Sequence, residues 1–239
     1  MREAVVQLTV NSAEDLPLER ERWNLKELRE HIRTLPKERK VALAFVTSLD
    51  WADRIFKYHF CEARDALRSV PIDEDPNSIK NHELMFSSTD EHEFSMLVIR
   101  ANVTACIHTA RNAYDHLAQL CNVLLLDPPM SVESCDFHRV RRSLPESELR
   151  NKLDLLAESD WFQYIAAYSN TSKHRMLVQQ SLHLSYADGI AGIRAESFEH
   201  DKAYPSHMVG DLLEGILEVK NQIIICGRTL NDEIIRGER

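Results

Sequence analysis

Apolar residues three or four positions apart organise the first half of the chain. From Lys37 to Val70 they are Val41, Phe45, Leu49, Ala52, Phe56 and Phe60, the spacing of one face of a helix. Pro36 precedes this run, and Pro71 and Pro76 close it. Ile72 to Ser88 is acidic and polar and reads as a loop. Thr89 or Asp90 is suited to N-cap a second run, Glu91 to Leu126, which Asp127-Pro128-Pro129 stops. Two such long helices on a short connection predict antiparallel packing.

The second half changes rhythm. Ser131 to Ser143 is irregular and holds the basic segment His138-Arg139-Val140-Arg141-Arg142. Leu144-Pro145-Glu146 opens a shorter helix to about Ala157, and Asp160 caps another from Trp161 to about Lys173. Met176 to Tyr186 and Ile190 to His200 then alternate around Ala187-Asp188-Gly189, which predicts a β-hairpin over 176–200. Ser206 caps a final helix to about Ile235. At the other end, Val5 to Val10 reads as a strand and Leu16 to Arg33 as a polar helix. The expected fold is mainly α: a long antiparallel helix bundle with a β-hairpin inserted before the C-terminal helix. Residues 1–36 read as an N-terminal extension and 37–239 as one helical domain.

Composition narrows the chemistry. All six glycines of the 239-residue chain follow position 188. The glycine-dependent dinucleotide loop, phosphate loop and nucleophile elbow are therefore absent. Net charge is −9, so a polyanion must be met by a local patch. The five cysteines contain no C-x-x-C pair and mostly sit in apolar helical runs, as reduced thiols of a cytoplasmic protein do. No apolar stretch nears the roughly 20 residues of a membrane span, and no basic-then-apolar leader opens the sequence. No membrane partner is expected. Among eleven histidines there is no H-E-x-x-H, and Cys135-x-x-His138 is a lone half-site. No metal and no cofactor are expected.

The informative stretch is His108-Thr-Ala-Arg111-Asn112-Ala-Tyr-Asp115-His116. With Arg111 at zero and about 100° per residue, Asp115 lies near ~40°, His108 near ~60°, Asn112 near ~100° and His116 near ~140°. The apolar positions Cys106, Ala110, Ala113, Leu117 and Leu120 fall near ~180–260°. Arg111 and His116 thus flank a polar wedge beside a long core face. Such a face is ordinarily solvated or paired at i,i+4, as Arg111–Asp115 and His108–Asn112 are spaced to be. The other reading is that His moves a proton while Arg holds a phosphodiester. The wide angle between them is eased if a dimer brings two copies together. A second cluster, Asn170-Thr-Ser-Lys173-His174-Arg175, ends a helix, where cations suit the macrodipole.

Arg111-Asn112-Ala-Tyr-Asp-His116 resembles the R-x(4–6)-H motif of the HEPN superfamily. Asn112 holds the polar position favoured by its RNA-cleaving members. Together with Asn170-Thr-Ser-Lys-His-Arg, the stretch is similar to a bacterial HEPN-like subgroup that pairs an "R…DHLA" helix with an "N-x-x-K-H-R" helix end. The resemblance implies a helical bundle that forms homodimers. Its active members are metal-independent endoribonucleases of toxin or defence type. On that reading Arg111, His116 and Asn112 are the catalytic residues: Arg111 steadies the scissile phosphate, His116 supports proton transfer and Asn112 orients one of these groups. Lys173, His174, Asn170 and Arg175 assist substrate binding. The implied partners are RNA or a nucleotide, and an antitoxin or other protein. The resemblance equally allows a catalytically inactive module that binds a nucleotide or a protein, with the motif residues structural.

Overall fold

The computed structural model describes residues 22–35, 39–73, 75–86 and 89–237. The expected strand at Val5–Val10 and the first part of the polar helix from Leu16 lie outside them. The two long runs form α2 (Arg39–Ser69) and α4 (Asp90–Leu125), preceded by α1 (Leu25–Thr34). Thr89 caps α4, its hydroxyl accepting from the His92 amide at 3.2 Å. The pairing of α2 with α4 is antiparallel. His59 Nδ1 meets Asn102 Oδ1 at 2.7 Å, the Cys106 thiol faces the Phe56 carbonyl, and the Phe45 ring lies beside His116. As one number rises the other falls. Val46, Phe56, Ile99, Val103, Leu117 and Leu120 are buried along this seam, which runs through the main core.

Ile72 to Ser88, expected as a loop, contains a short helix, α3 (Ile79–Phe86). Its apolar residues follow no face, and Ile79 and Phe86 are exposed, so periodicity gives no sign of it. A buried amide holds it. Asn81 Oδ1 accepts from the Asp73 amide at 2.9 Å, and Nδ2 donates to the carbonyls of Asp73 and Asp75. Ser131 to Ser143, expected as irregular, forms a 3₁₀ turn (Val132–Ser134) and then α5 (Phe137–Ser143), which holds the basic segment. Asp136 caps α5 through the Arg139 amide at 2.9 Å, and Phe137 and Val140 carry its only buried turn. Two buried positions are too few for a periodic signal.

Then come α6 (Glu148–Glu158), capped by Ser147 rather than opened at Leu144, and α7 (Asp160–His174), with Ser159 at the cap position ahead of Asp160. The hairpin is present but shorter than 176–200. β1 (Gln180–Ser185) pairs antiparallel with β2 (Ile190–Ala195), Ser185 facing Ile190. Gly189 turns the loop at φ +67°, a conformation that suits glycine. After β3 (Phe198–Glu199) pairs with β4 (Ala203–Tyr204), β5 (His207–Met208) adds a third strand to the first sheet. That strand takes the residues where Ser206 was expected to cap. The final helix α8 (Val209–Asn231) therefore begins later, and it ends in a π-helical turn, Asp232–Arg236.

α8 locks the two ends of the fold. Trp23 Nε1 donates to Asn231 Oδ1 at 2.9 Å, and Asn231 Nδ2 donates to the Asn24 carbonyl. The buried Glu233 carboxylate accepts from the Leu149 amide at 2.8 Å, satisfying an orphan donor at the start of α6. Leu28 and Ile32 of α1 are fully buried in the same core as α2 and α4.

Two glycines in α8 seat indole rings. A Cβ on Gly227 would stand 2.2 Å from the Trp23 ring, and one on Gly215 would stand 2.1 Å from the Trp161 ring. Helix propensity alone favours Gly→Ala by about 1 kcal/mol. Overpacking against a rigid, partly buried ring costs about 1–3 kcal/mol, so the clash should win. Gly227→Ala is expected to lower the urea-unfolding midpoint. A raised midpoint would show that propensity governs this site.

Candidate functional site

α4 presents its motif residues to three different surroundings. Arg111 forms an ion pair with Asp115 one turn on, and its guanidinium carbon lies 4.4 Å from the centre of the Tyr114 ring. Tyr114 is buried against Phe137 of α5 and Phe162 of α7, with ring centres 5.4 and 4.4 Å away. Arg111 thus lies over the aromatic junction of three helices. His138 of α5 stands close enough that Arg111, Arg141 and Arg142 all oppose its protonation, although burial is the larger cause of its lowered pKa. Arg141 is held by Asp154 at 2.7 Å.

His108 faces α7. Its Nδ1 meets the fully buried Ser169 hydroxyl at 2.9 Å. Burial lowers its pKa, and the charge of Lys173 lowers it further. His116 faces α2. Its ring centre is 6.5 Å from that of Phe45, and Nδ1 is buried without a hydrogen-bond partner among the described residues. Burial lowers its pKa, offset in part by Asp115, so the imidazole is neutral at pH 7. Asn112 is exposed between these groups.

The second cluster divides. Lys173 is exposed and within electrostatic reach of His108. Arg175 instead donates through Nη1 to the carbonyls of Glu199 and His200, tying the end of α7 to the β3–β4 ribbon. Asn170 is half-buried and His174 exposed. The structure therefore gathers His108, Arg111, Asn112 and Lys173 on one side, with α5's basic residues beside them. His116 stands at the edge of that side, against α2. Sequence reasoning assigned no role to Ser169 or Tyr114, which position His108 and Arg111. Both sit in apolar runs and look like ordinary core residues.

The thiols offer no nucleophile here. None of the five cysteines forms a disulfide among the described residues, and burial raises the thiol pKa of Cys106, Cys121 and Cys226, the last to about 12. Among the described residues no three His, Cys, Asp or Glu side chains converge as metal ligands, and no helix is long and apolar enough to cross a membrane. No protein-family model, curated protein or solved structure matches the chain.

The half-buried histidines carry a pH consequence. His108, His116 and His138 all have pKa values below the ordinary 6.5. Below pH 6.5 the unfolded chain therefore takes up protons that the folded chain resists, and stability falls as pH drops. The thermal midpoint is expected to decline from pH 7 to pH 5. In an NMR titration the His116 resonance should move with a midpoint below 6.5. A midpoint above that value would mean an acidic partner governs the ring.

Proposed function

We propose that this chain is a HEPN-like, metal-independent endoribonuclease that acts as a homodimer. One observation carries the reading. The motif side of α4 borders a second apolar stripe on α2, unused by the core. Val41, Ala44, Trp51, Ile55 and Tyr58, with the small polar Ser48 among them, recur at alternating three and four residues, the seam spacing of paired helices. Trp51 is 60% exposed and Tyr58 47%. On the neighbouring α4, Phe94 and Leu97 are exposed too. Apolar surface of this extent on one face suits a partner, and a second copy meeting it about a two-fold axis would bring two motifs together.

In that arrangement the neutral His116 takes the ribose 2′-hydroxyl proton as the oxygen attacks phosphorus. The bond to the 5′-oxygen breaks, that oxygen receives the proton, and a cyclic phosphate remains. Asp115 engages one Nη of Arg111, and the other guanidinium donors, with no partner among the described residues, can hold phosphate oxygens. Lys173 adds charge at the side, and Asn112 lies between Arg111 and His116.

One observation favours a second reading. The Arg111–Asp115 ion pair and the Tyr114 ring already engage the arginine within one chain, as a structural residue would be. On that reading the chain is a catalytically silent module that binds a nucleotide or a protein partner.

Purified chain, with its mass measured by light scattering, should cut RNA in EDTA and leave cyclic-phosphate ends. Arg111→Ala and His116→Ala should each lower the rate by about 100-fold or more. Intact RNA across several substrates, from a protein that is dimeric, would sink the catalytic reading. A loss of stability from the arginine change without any activity to lose would support the silent module.

A further inference from the structure

On the opposite side of α4 from the motif, a cleft of about 290 Å³ opens between α1, α2, α4 and α8. Its wall is mostly apolar, with Trp23, Leu49, Phe56, Ala113, Ile223 and Ile224. Lys220 of α8 lines it too, a lysine only 6% exposed. Its ammonium lies 3.1 Å from Asp53 Oδ1 and 6.0 Å from the centre of the Phe56 ring. Asp53 also holds Lys57 at 2.6 Å. Beside it, Asp50 is engaged by Arg29 at 2.8 Å and Arg54 at 3.3 Å.

The charge balance of this cleft has a sign. Arg22, Lys57 and Lys220 line it against two carboxylates, Asp50 and Asp53, a surplus of one positive charge in a chain whose net charge is −9, and Asp50 is also held by Arg29 and Arg54 from outside the lining. Both carboxylates are engaged twice over. Beyond Asp53, no acceptor among the described residues reaches Lys220 Nζ. A buried ammonium has three donors and loses much of its hydration when they go unfilled. Burial indeed lowers the Lys220 pKa against the pull of Asp53. Arg22, exposed beside the cleft, adds a second cation with no carboxylate of its own among the described residues.

We infer that this cleft binds a small amphipathic anion, its apolar body between Trp23, Phe56 and Ile223 and its single anionic head on Lys220 and Arg22. The volume lies at the small end of the range of ligand pockets, about 300 Å³. The head accepts the donors that Asp53 leaves unfilled, and the apolar wall excludes water from the contact. This site lies apart from the motif and holds whether or not the chain cleaves RNA.

Calorimetric titration of the full chain with octanoate, octyl phosphate, octanol and octylammonium tests it. At least one of the two anions should bind, and the better of them names the head. Octanol should bind at least ten-fold more weakly, and octylammonium should give no heat of binding. Lys220→Met removes the ammonium and should weaken anion binding by about ten-fold or more. Ala52→Leu keeps every charge and puts bulk into the cleft, so it should abolish binding even if the lysine variant folds poorly. The inference is overturned if neither anion binds at millimolar concentration. It is equally overturned if octanol binds as well as the anions, or if the folded variants bind as the parent chain does.

Discussion

The antiparallel seam between α2 and α4 is the constraint on which the rest of the molecule depends. Two helices of 31 and 36 residues can stay paired over their length only if one face of each is continuously apolar. On α2 that face leaves the opposite stripe, with Trp51 and Tyr58, open to solvent. On α4 the demand is greater, because α8 and α7 pack on it as well. What remains of its circumference is the narrow strip that holds Asn112, with Arg111 at one margin and His116 at the other. The distribution of chemistry on α4 thus follows from how many neighbours that helix must satisfy.

This crowding explains what the sequence could and could not reveal. The long helices were legible because their apolar spacing persists over many turns, and the proline punctuation marks their ends. The Asp-Gly turn was legible because Gly189 takes a backbone conformation that other residues avoid. α3 and α5 were not, since the first is held by the amide of a single asparagine, Asn81, and the second by two buried residues. β5 was not, because a two-residue strand exists only through its partner, β2. At the site, the Arg111–Asp115 pair could be read from i,i+4 spacing. The contact of His108 with Ser169 could not, since it joins elements 61 positions apart. Lys220 and Asp53 were hidden for the same reason: each looks like an ordinary polar position on its own helix, and only the packing of α8 against α2 makes them a pair.

The two faces of α4 differ in physical character. The outer one is polar, lined with histidines that burial keeps neutral and arginines engaged by carboxylates. The inner one backs a mostly apolar cleft whose one deep cation lacks a full set of acceptors. Ala110 and Ala113 of the motif stretch belong to that inner face. The same stretch of helix therefore serves two surfaces, and its small side chains line the cleft.

The tie between Trp23 and Asn231 spans 208 positions of the chain. It has a consequence for the order of events during synthesis. A chain emerges from the ribosome N-terminus first, and α2 and α4 can meet once the connection between them is out. α1 cannot complete its packing then, because Gly227, which receives the Trp23 ring, has not yet been made. Until Gly227 and Asn231 have been made, the indole and parts of the α2–α4 core that α8 will cover stay open to water and to other proteins. The nascent chain thus passes through a prolonged stage in which its helical hairpin is present and its lid is still being written.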